Sequence, residues 1–134
     1  MSQVRELLNT LRGDQVGIVL SVLCMIHCIG LPVLMVLSPS IIGTHDEFTH
    51  LIFFVLVGSL ALYSFFKGYN IHGRLFPGIL GMLGVTLIFL AIFAPHGHVF
   101  SVFTYENLVT TCGGIILIYG HVLNIKDCRC SCCK

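Results

Sequence analysis

Charged side chains are scarce in this sequence, and long stretches of it have none. Lysine, arginine, aspartate and glutamate make up 10% of the 134 residues, whereas 56% are hydrophobic. A water-soluble domain of this size needs far more charge to cover its surface, and a protein that binds nucleic acid needs a basic patch. The composition therefore excludes both classes and indicates a protein embedded in a lipid bilayer.

The charge-free stretches predict the fold. Each of the four is about as long as the ~20 residues that a helix needs to cross the hydrocarbon core of a membrane. Lipid cannot hydrogen-bond a bare backbone, so these stretches must be helical. We predict a single-domain, all-α integral membrane protein, in which four transmembrane helices form an antiparallel bundle. The predicted spans lie near residues 16–37, 49–66, 76–94 and 105–125.

Two of the three predicted loops contain no lysine or arginine. The basic residues lie instead before the first span, between the second and third spans, and after the fourth: Arg5, Arg12, Lys67, Arg74, Lys126, Arg129 and Lys134. The positive-inside rule then predicts that both termini lie in the cytoplasm. We expect a multi-pass protein whose loops near residues 38–48 and 95–104 face the periplasm or the cell exterior. Residues 2–12 are expected to form a short interfacial helix before the first span.

Small residues predict where the helices approach one another closely. They share one face of the first span and recur in the third: Gly17, Ser21 and Cys24, then Gly78, Gly81 and Gly84. A bundle of this size has little room for an internal pathway, which makes a homodimer a reasonable expectation.

The main chemical signal is the presence of seven cysteines and seven histidines in so short a chain. Cys24 and Cys28 lie one turn apart on a helix face, and His27 lies about 60° from Cys24 around the helix. Two thiols and an imidazole near the membrane midplane suit a soft ion such as Hg(II), Cu(I) or Zn(II). Both cysteines could instead be packing residues, but an imidazole in hydrocarbon is costly unless it is used.

A second cluster follows the fourth span, in a predicted cytoplasmic tail at residues 126–134. It contains Cys128, Cys130, Cys132 and Cys133. The cytoplasm is reducing, which disfavours disulfides, and four thiols on a flexible basic segment can wrap around one soft ion. The alternatives are acylated cysteines in a eukaryote, or a disulfide if the topology is inverted.

Oxygen and nitrogen ligands occupy the predicted outer side. Asp46 and His50 lie at the start of the second span, and Glu106 lies at the start of the fourth. Such residues can attract a hydrated divalent cation and begin to remove its water. Loop histidines and carboxylates are, however, ordinary solvated residues in most proteins.

Three further positions carry weaker signals. Cys112 could complete a midplane site, although simple packing is the more economical interpretation. His121, near the inner end of the fourth span, is either a ligand on the way to the tail or an interfacial structural residue. His72 lies in the predicted inner loop, where we expect it to be solvated.

These motifs resemble those of the MerC family of small inner-membrane mercury-resistance proteins. The matching segments are residues 14–18 leading into 23–32, the His50-Leu51 start of the second span, and residues 120–124 before the cysteine-bearing tail. The resemblance implies a multi-pass protein of the bacterial inner (plasma) membrane. It also implies that Cys24 and Cys28 pass Hg(II) to the tail cysteines and on to a cytoplasmic acceptor, a reductase. The spacing of this pair is one residue longer than the Cys-x-x-Cys of the family, and a histidine intervenes.

Our leading hypothesis is transport of a soft metal ion by thiol ligand exchange, from the midplane Cys-His-Cys site to the tail. The ion is Hg(II) by resemblance, and Zn(II) or copper by ligand chemistry. We expect no prosthetic group and no enzymatic activity. The alternatives are a membrane protein that only binds or senses a metal, and a membrane thiol oxidoreductase in which Cys24 and Cys28 cycle through a disulfide.

Overall fold

The chain forms four α-helices in a computed structural model that describes residues 2–37, 47–92 and 105–131; these ranges contain no strand. The helices are α1 (Ser2–Leu37), α2 (Glu47–His72), α3 (Phe76–Ile92) and α4 (Tyr105–Ser131). Three of them contain stretches long and apolar enough to cross a membrane: Leu8–Gly30, Phe54–His72 and Tyr105–Cys130. α3 is apolar throughout, with 17 residues. The predictions of an all-helical chain and of several membrane-spanning helices are confirmed.

Three helices extend beyond the predicted spans. α1 begins at Ser2, so the predicted interfacial segment is continuous with the first span and is not a separate helix. α2 continues past residue 66 to His72. α4 continues to Ser131. The prediction of a flexible tail is therefore wrong for residues 126–131, which are helical.

A tight turn joins α2 to α3. Gly73 has a φ of 69°, a left-handed conformation that glycine adopts without the steric penalty that a side chain brings. Its backbone N–H donates to the Tyr69 carbonyl over 2.8 Å, which closes the end of α2 in the manner of a helix C-cap. Pro77 lies in the first turn of α3, where its missing N–H costs nothing. So short a connection makes α2 and α3 antiparallel neighbours.

The bundle places α2 and α4 on its short diagonal. Each of them contacts α1, α3 and the other, whereas α1 and α3 have no contact in the described part of the chain. Contacts run in opposite directions along α1 and α4, because Gly17 lies against His121 and Met25 lies against Gly114. The antiparallel packing predicted for the bundle agrees with these contacts. The basic residues of the described ranges therefore gather at one end, which we call the basic end.

Close helix contacts occur at two of the three glycines predicted for α3. A Cβ atom on Gly84 would lie 2.8 Å from the carbonyl oxygen of Gly113, and one on Gly81 would collide with the Phe65 ring. Gly78 has no neighbour within 4 Å, so the prediction is wrong there. Such backbone contacts suit helices in lipid, where small residues and van der Waals packing hold the helices together.

The apolar core is small, and the outer surface is apolar. The buried cluster consists of Val57, Ala61, Phe65, Ile88 and Leu117. Large hydrophobic side chains are exposed on all four helices, among them Ile26 at 62%, Phe66 at 67%, Ile79 at 61% and Ile115 at 54%. An apolar surface of this extent is expected where lipid replaces water as the solvent.

Candidate metal-binding site

A small cavity lies between the helices beside Cys24 and Cys28. It encloses about 20 Å³, which is room for a single water-sized guest. Its polar lining consists of Ser21, Cys24, His27, Cys28, Glu106 and Thr110, and the thioether residue Met25 also contributes. The cavity therefore brings the predicted Cys-His-Cys motif together with Glu106, the carboxylate at the start of α4.

The two thiols are neighbours. Cys28 is 4% exposed and Cys24 is half-buried; both are free of disulfides, and both line the cavity. One helical turn separates them, as their spacing predicted. Two adjacent thiols can bind a thiophilic cation once they lose their protons.

The cavity residues do not form a complete metal site. Within residues 2–37, 47–92 and 105–131, no group of three histidine, cysteine, aspartate or glutamate side chains is close enough to hold a metal ion together. Cys112 is exposed on α4 and does not line the cavity. His50 belongs to the first turn of α2, but its side chain lies outside the described part, as do Asp46, Cys132 and Cys133.

The described cysteines of the predicted tail point in different directions. Cys128 is buried, whereas Cys130 is exposed. Two residues on a helix are separated by about 200° around its axis. Cys128 and Cys130 therefore cannot enclose one ion while this end of α4 stays helical.

The inward edge of α1 consists of small and polar residues. Its members recur at alternating spacings of four and three and are buried or half-buried: Thr10, Asp14, Gly17, Ser21, Cys24 and Cys28. The facing edge of α4 has the same spacing: Thr110, Gly114, Leu117, His121, Asn124 and Cys128. We call this α1–α4 interface the polar seam. It runs from the thiol pair to Cys128 at the basic end.

A buried hydrogen-bond network occupies the basic half of the polar seam. Asp14 and His121 are completely buried and pair over 2.7 Å, between Oδ1 and Nδ1. The Asn124 side-chain amide donates to Asp14 Oδ2 over 2.8 Å and to the Ser64 carbonyl over 3.3 Å. His72 Nε2 lies 2.9 Å from Asn124 Oδ1. The network thus joins α1, α2 and α4.

Two close approaches make room for this network. Gly17 faces His121, and a Cβ there would lie 2.6 Å from Nε2. Gly68 faces Asn124, and a Cβ there would collide with the amide. The His121 ring also stacks on Phe65, with centroids 4.7 Å apart and an interplanar angle of 22°. Packing and hydrogen bonds together fix the orientation of the imidazole.

Sequence reasoning missed most of this network. In the sequence, Asp14 and Asn124 belong only to the segments that carry the family resemblance, with no separate role predicted for either. The expectation that His72 is solvated is wrong, because it ends α2 and contacts Asn124. The available signal was the spacing of Asp14, Gly17 and Ser21, which continues the helix edge that carries Cys24.

The apolar surface and the long apolar helices define a multi-pass membrane protein. A family model described as MerC mercury resistance protein matches residues 14–126, which is most of the chain. The chain therefore belongs to the MerC family, whose members are membrane proteins of mercury resistance. Searches of curated proteins and of solved structures returned no match.

Proposed function

We propose that this protein carries Hg(II) across the bacterial inner membrane by thiol ligand exchange. The observation that supports the proposal best is the pair of free thiols, Cys24 and Cys28, which line one internal cavity of single-ion size. Hg(II) is a soft cation, for which thiolates are the preferred protein ligands. Membership of a mercury-resistance family supports the same ion.

The direction of transport follows from the proposed topology. The basic end of the bundle faces the cytoplasm by the positive-inside rule, and α3 crosses the membrane as the third of four spans. Its 17 described residues extend about 25 Å at ~1.5 Å per residue, which is close to the thickness of the hydrocarbon core. In this orientation the Glu106 end of the cavity receives the ion from outside, and Cys128 and Cys130 deliver it to a cytoplasmic acceptor.

The test compares uptake of radioactive Hg(II) by cells that produce the wild type, the double variant Cys24→Ser/Cys28→Ser, or Cys112→Ser. We expect the double variant to fall to the level of cells without the protein, because serine hydroxyls do not replace thiolates for a soft ion. Cys112→Ser is the matched control, since Cys112 is exposed on the outer surface of α4. Equal amounts of each variant in the membrane fraction exclude a folding defect.

The proposal is refuted if the correctly inserted double variant accumulates Hg(II) at the wild-type rate. It is also refuted if the uptake of Cys112→Ser falls as far as that of the double variant, because the loss would then not depend on the cavity.

Zinc is a second candidate cargo, because His27 and Glu106 line the same cavity as the thiols. Zn(II) accepts cysteine, histidine and carboxylate ligands together. Uptake of radioactive Zn(II) by the same three strains, with and without excess Hg(II), distinguishes the two ions. Accumulation of Zn(II) that depends on Cys24 and Cys28, without accumulation of Hg(II), would replace mercury by zinc.

A further inference from the structure

The hydrogen bonds of the buried network determine which atoms carry protons. The Arg74 backbone N–H donates to His72 Nδ1 over 3.0 Å, so His72 Nδ1 is an acceptor and Nε2 bears the proton. His72 Nε2–H therefore donates to Asn124 Oδ1, and the amide nitrogen of Asn124 is left to donate to Asp14. Both Asp14 oxygens act as acceptors, Oδ2 from Asn124 and Oδ1 from the Nδ1–H of His121.

This arrangement leaves His121 Nε2 without a partner. The atom is fully buried and has no hydrogen bond. Since the ring proton is held at Nδ1, the neutral imidazole carries its lone pair at Nε2. A histidine that donates one N–H to a carboxylate, and keeps the other nitrogen free, has the arrangement of a metal ligand with its supporting carboxylate.

The free nitrogen is directed at the polar seam. It lies against Gly17, where the absence of a side chain makes room for the ring, since a Cβ there would lie 2.6 Å from Nε2. Ser21, one turn further along α1, carries another buried oxygen without a hydrogen bond and lines the cavity of the thiol pair. Unpartnered polar atoms thus continue from the cavity towards His121.

His121 lies midway between the two groups of thiols. Cys24 is seven residues from Gly17 along α1, and Cys128 is seven residues from His121 along α4. At ~1.5 Å per residue, each of these intervals is about 10 Å. A direct transfer from Cys24 to Cys128 would span about twice that distance through the bundle, with no intermediate ligand.

We propose that His121 is a transit ligand, which receives the transported cation at Nε2 from the thiol pair and passes it to Cys128. Asp14 is a positioning residue, which keeps the ring proton at Nδ1 and the lone pair directed at the seam. This inference rests on the proposed transport function. His121 would place a nitrogen ligand between two sulfur sites. Nitrogen binds a soft ion less tightly than sulfur, so the ion would not remain at His121.

The ligand exchange changes no oxidation state. The bonds from the ion to the two thiolates break as the bond to Nε2 forms, and that bond breaks as the bond to Cys128 forms. Cys24 and Cys28 each take up one proton and Cys128 releases one, so each transfer takes one further proton from water. The imidazole gains and loses only the coordination bond.

The first test measures transfer within the protein. Wild type and variants in lipid nanodiscs receive Hg(II) alone, and the reaction is stopped at intervals with an alkylating reagent. Mass spectrometry then shows which cysteines Hg(II) protects. We expect His121→Gln and Gly17→Ala to load Cys24 and Cys28 normally, but to protect Cys128 about 10- to 100-fold more slowly. In Gly17→Ala the new Cβ lies against Nε2. Gly30→Ala is its matched control on the same helix, because Gly30 has no neighbour within 4 Å.

Wild-type transfer rates in folded His121→Gln overturn the proposal. Failure of Cys24 and Cys28 to bind Hg(II) in the wild type refutes instead the transport function proposed above, so the two failures are distinguishable.

The second test needs no variant of His121. Nitrogen NMR of the wild type labelled at histidine should show an unprotonated Nε2 at His121, whose resonance shifts when Hg(II) or Zn(II) is added. Asp14→Asn should redistribute the proton between the two ring nitrogens of His121. If Asp14 only filled space in the packing, its replacement by the similar-sized asparagine would leave the proton at Nδ1. A His121 resonance unaffected by either ion rules out the transit ligand, whatever the folding of the variants.

Discussion

Replacing Asn124 by leucine tests how much the buried network stabilises the bundle. One amide group contacts Asp14 on α1 and both Ser64 and His72 on α2, while the residue itself belongs to α4. Leucine has a similar size but cannot form any of these three hydrogen bonds. At ~0.6 kcal/mol for each bond between membrane helices, their loss costs about 2 kcal/mol. Leaving the buried Asp14 oxygen without a donor adds about 1–3 kcal/mol.

We therefore expect Asn124→Leu to lower the free energy of unfolding by about 3–5 kcal/mol. The measurement is circular dichroism of the purified protein in mixed micelles, as increasing dodecyl sulfate unfolds the helices. Asn70→Leu is the control, because Asn70 is an exposed asparagine near the end of α2. If the two variants unfold at the same dodecyl sulfate fraction, the network does not stabilise the bundle and the reasoning fails.

Two further predictions concern the packing and the topology. Gly68→Ala should destabilise the bundle by about 1–3 kcal/mol in the same assay, because its Cβ collides with the Asn124 amide. Gly78→Ala is the control and should have no such effect, because its Cβ meets nothing within 4 Å. Equal effects of the two variants would contradict the observed contact. A membrane-impermeant maleimide should label the exposed Cys130 in inverted membrane vesicles but not in intact cells, whereas labelling in intact cells would place the basic end outside.

The helices could be predicted from the sequence because charge is so strongly segregated along it. Lipid imposes one requirement on every spanning segment, a satisfied backbone within an apolar surface, and charge-free stretches reveal where this requirement applies. Helix ends were predicted less well, because the turns at residues 67–72 and 126–131 carry charge and yet continue the helices. A limit on charge inside the membrane says nothing about where a helix ends outside it.

The candidate site was predicted only where its residues are close in sequence. Cys24, His27 and Cys28 share a local motif, and helix geometry alone places the two thiols together. The pairing of Asp14 with His121 spans 107 positions and depends on which face of α4 meets α1. A single sequence does not show which helix faces meet, so the network could be identified only from the structure.

The residues of the polar seam contribute both to helix packing and to the proposed function of this protein. Lipid is as apolar as leucine and does not drive helices together, so small residues and buried hydrogen bonds must hold α1 against α4. Because these residues are small, the proposed ion route is lined on its α1 side by backbone atoms and not by bulky side chains. Most polar atoms of the network are paired, which is what stability requires. Among the described residues, three buried side-chain nitrogen or oxygen atoms have no hydrogen bond, Ser21 Oγ, Ser64 Oγ and His121 Nε2, and each of them costs stability. Two of these three, Ser21 Oγ and His121 Nε2, lie between the thiol pair and Cys128, where they are available to contact an ion in transit.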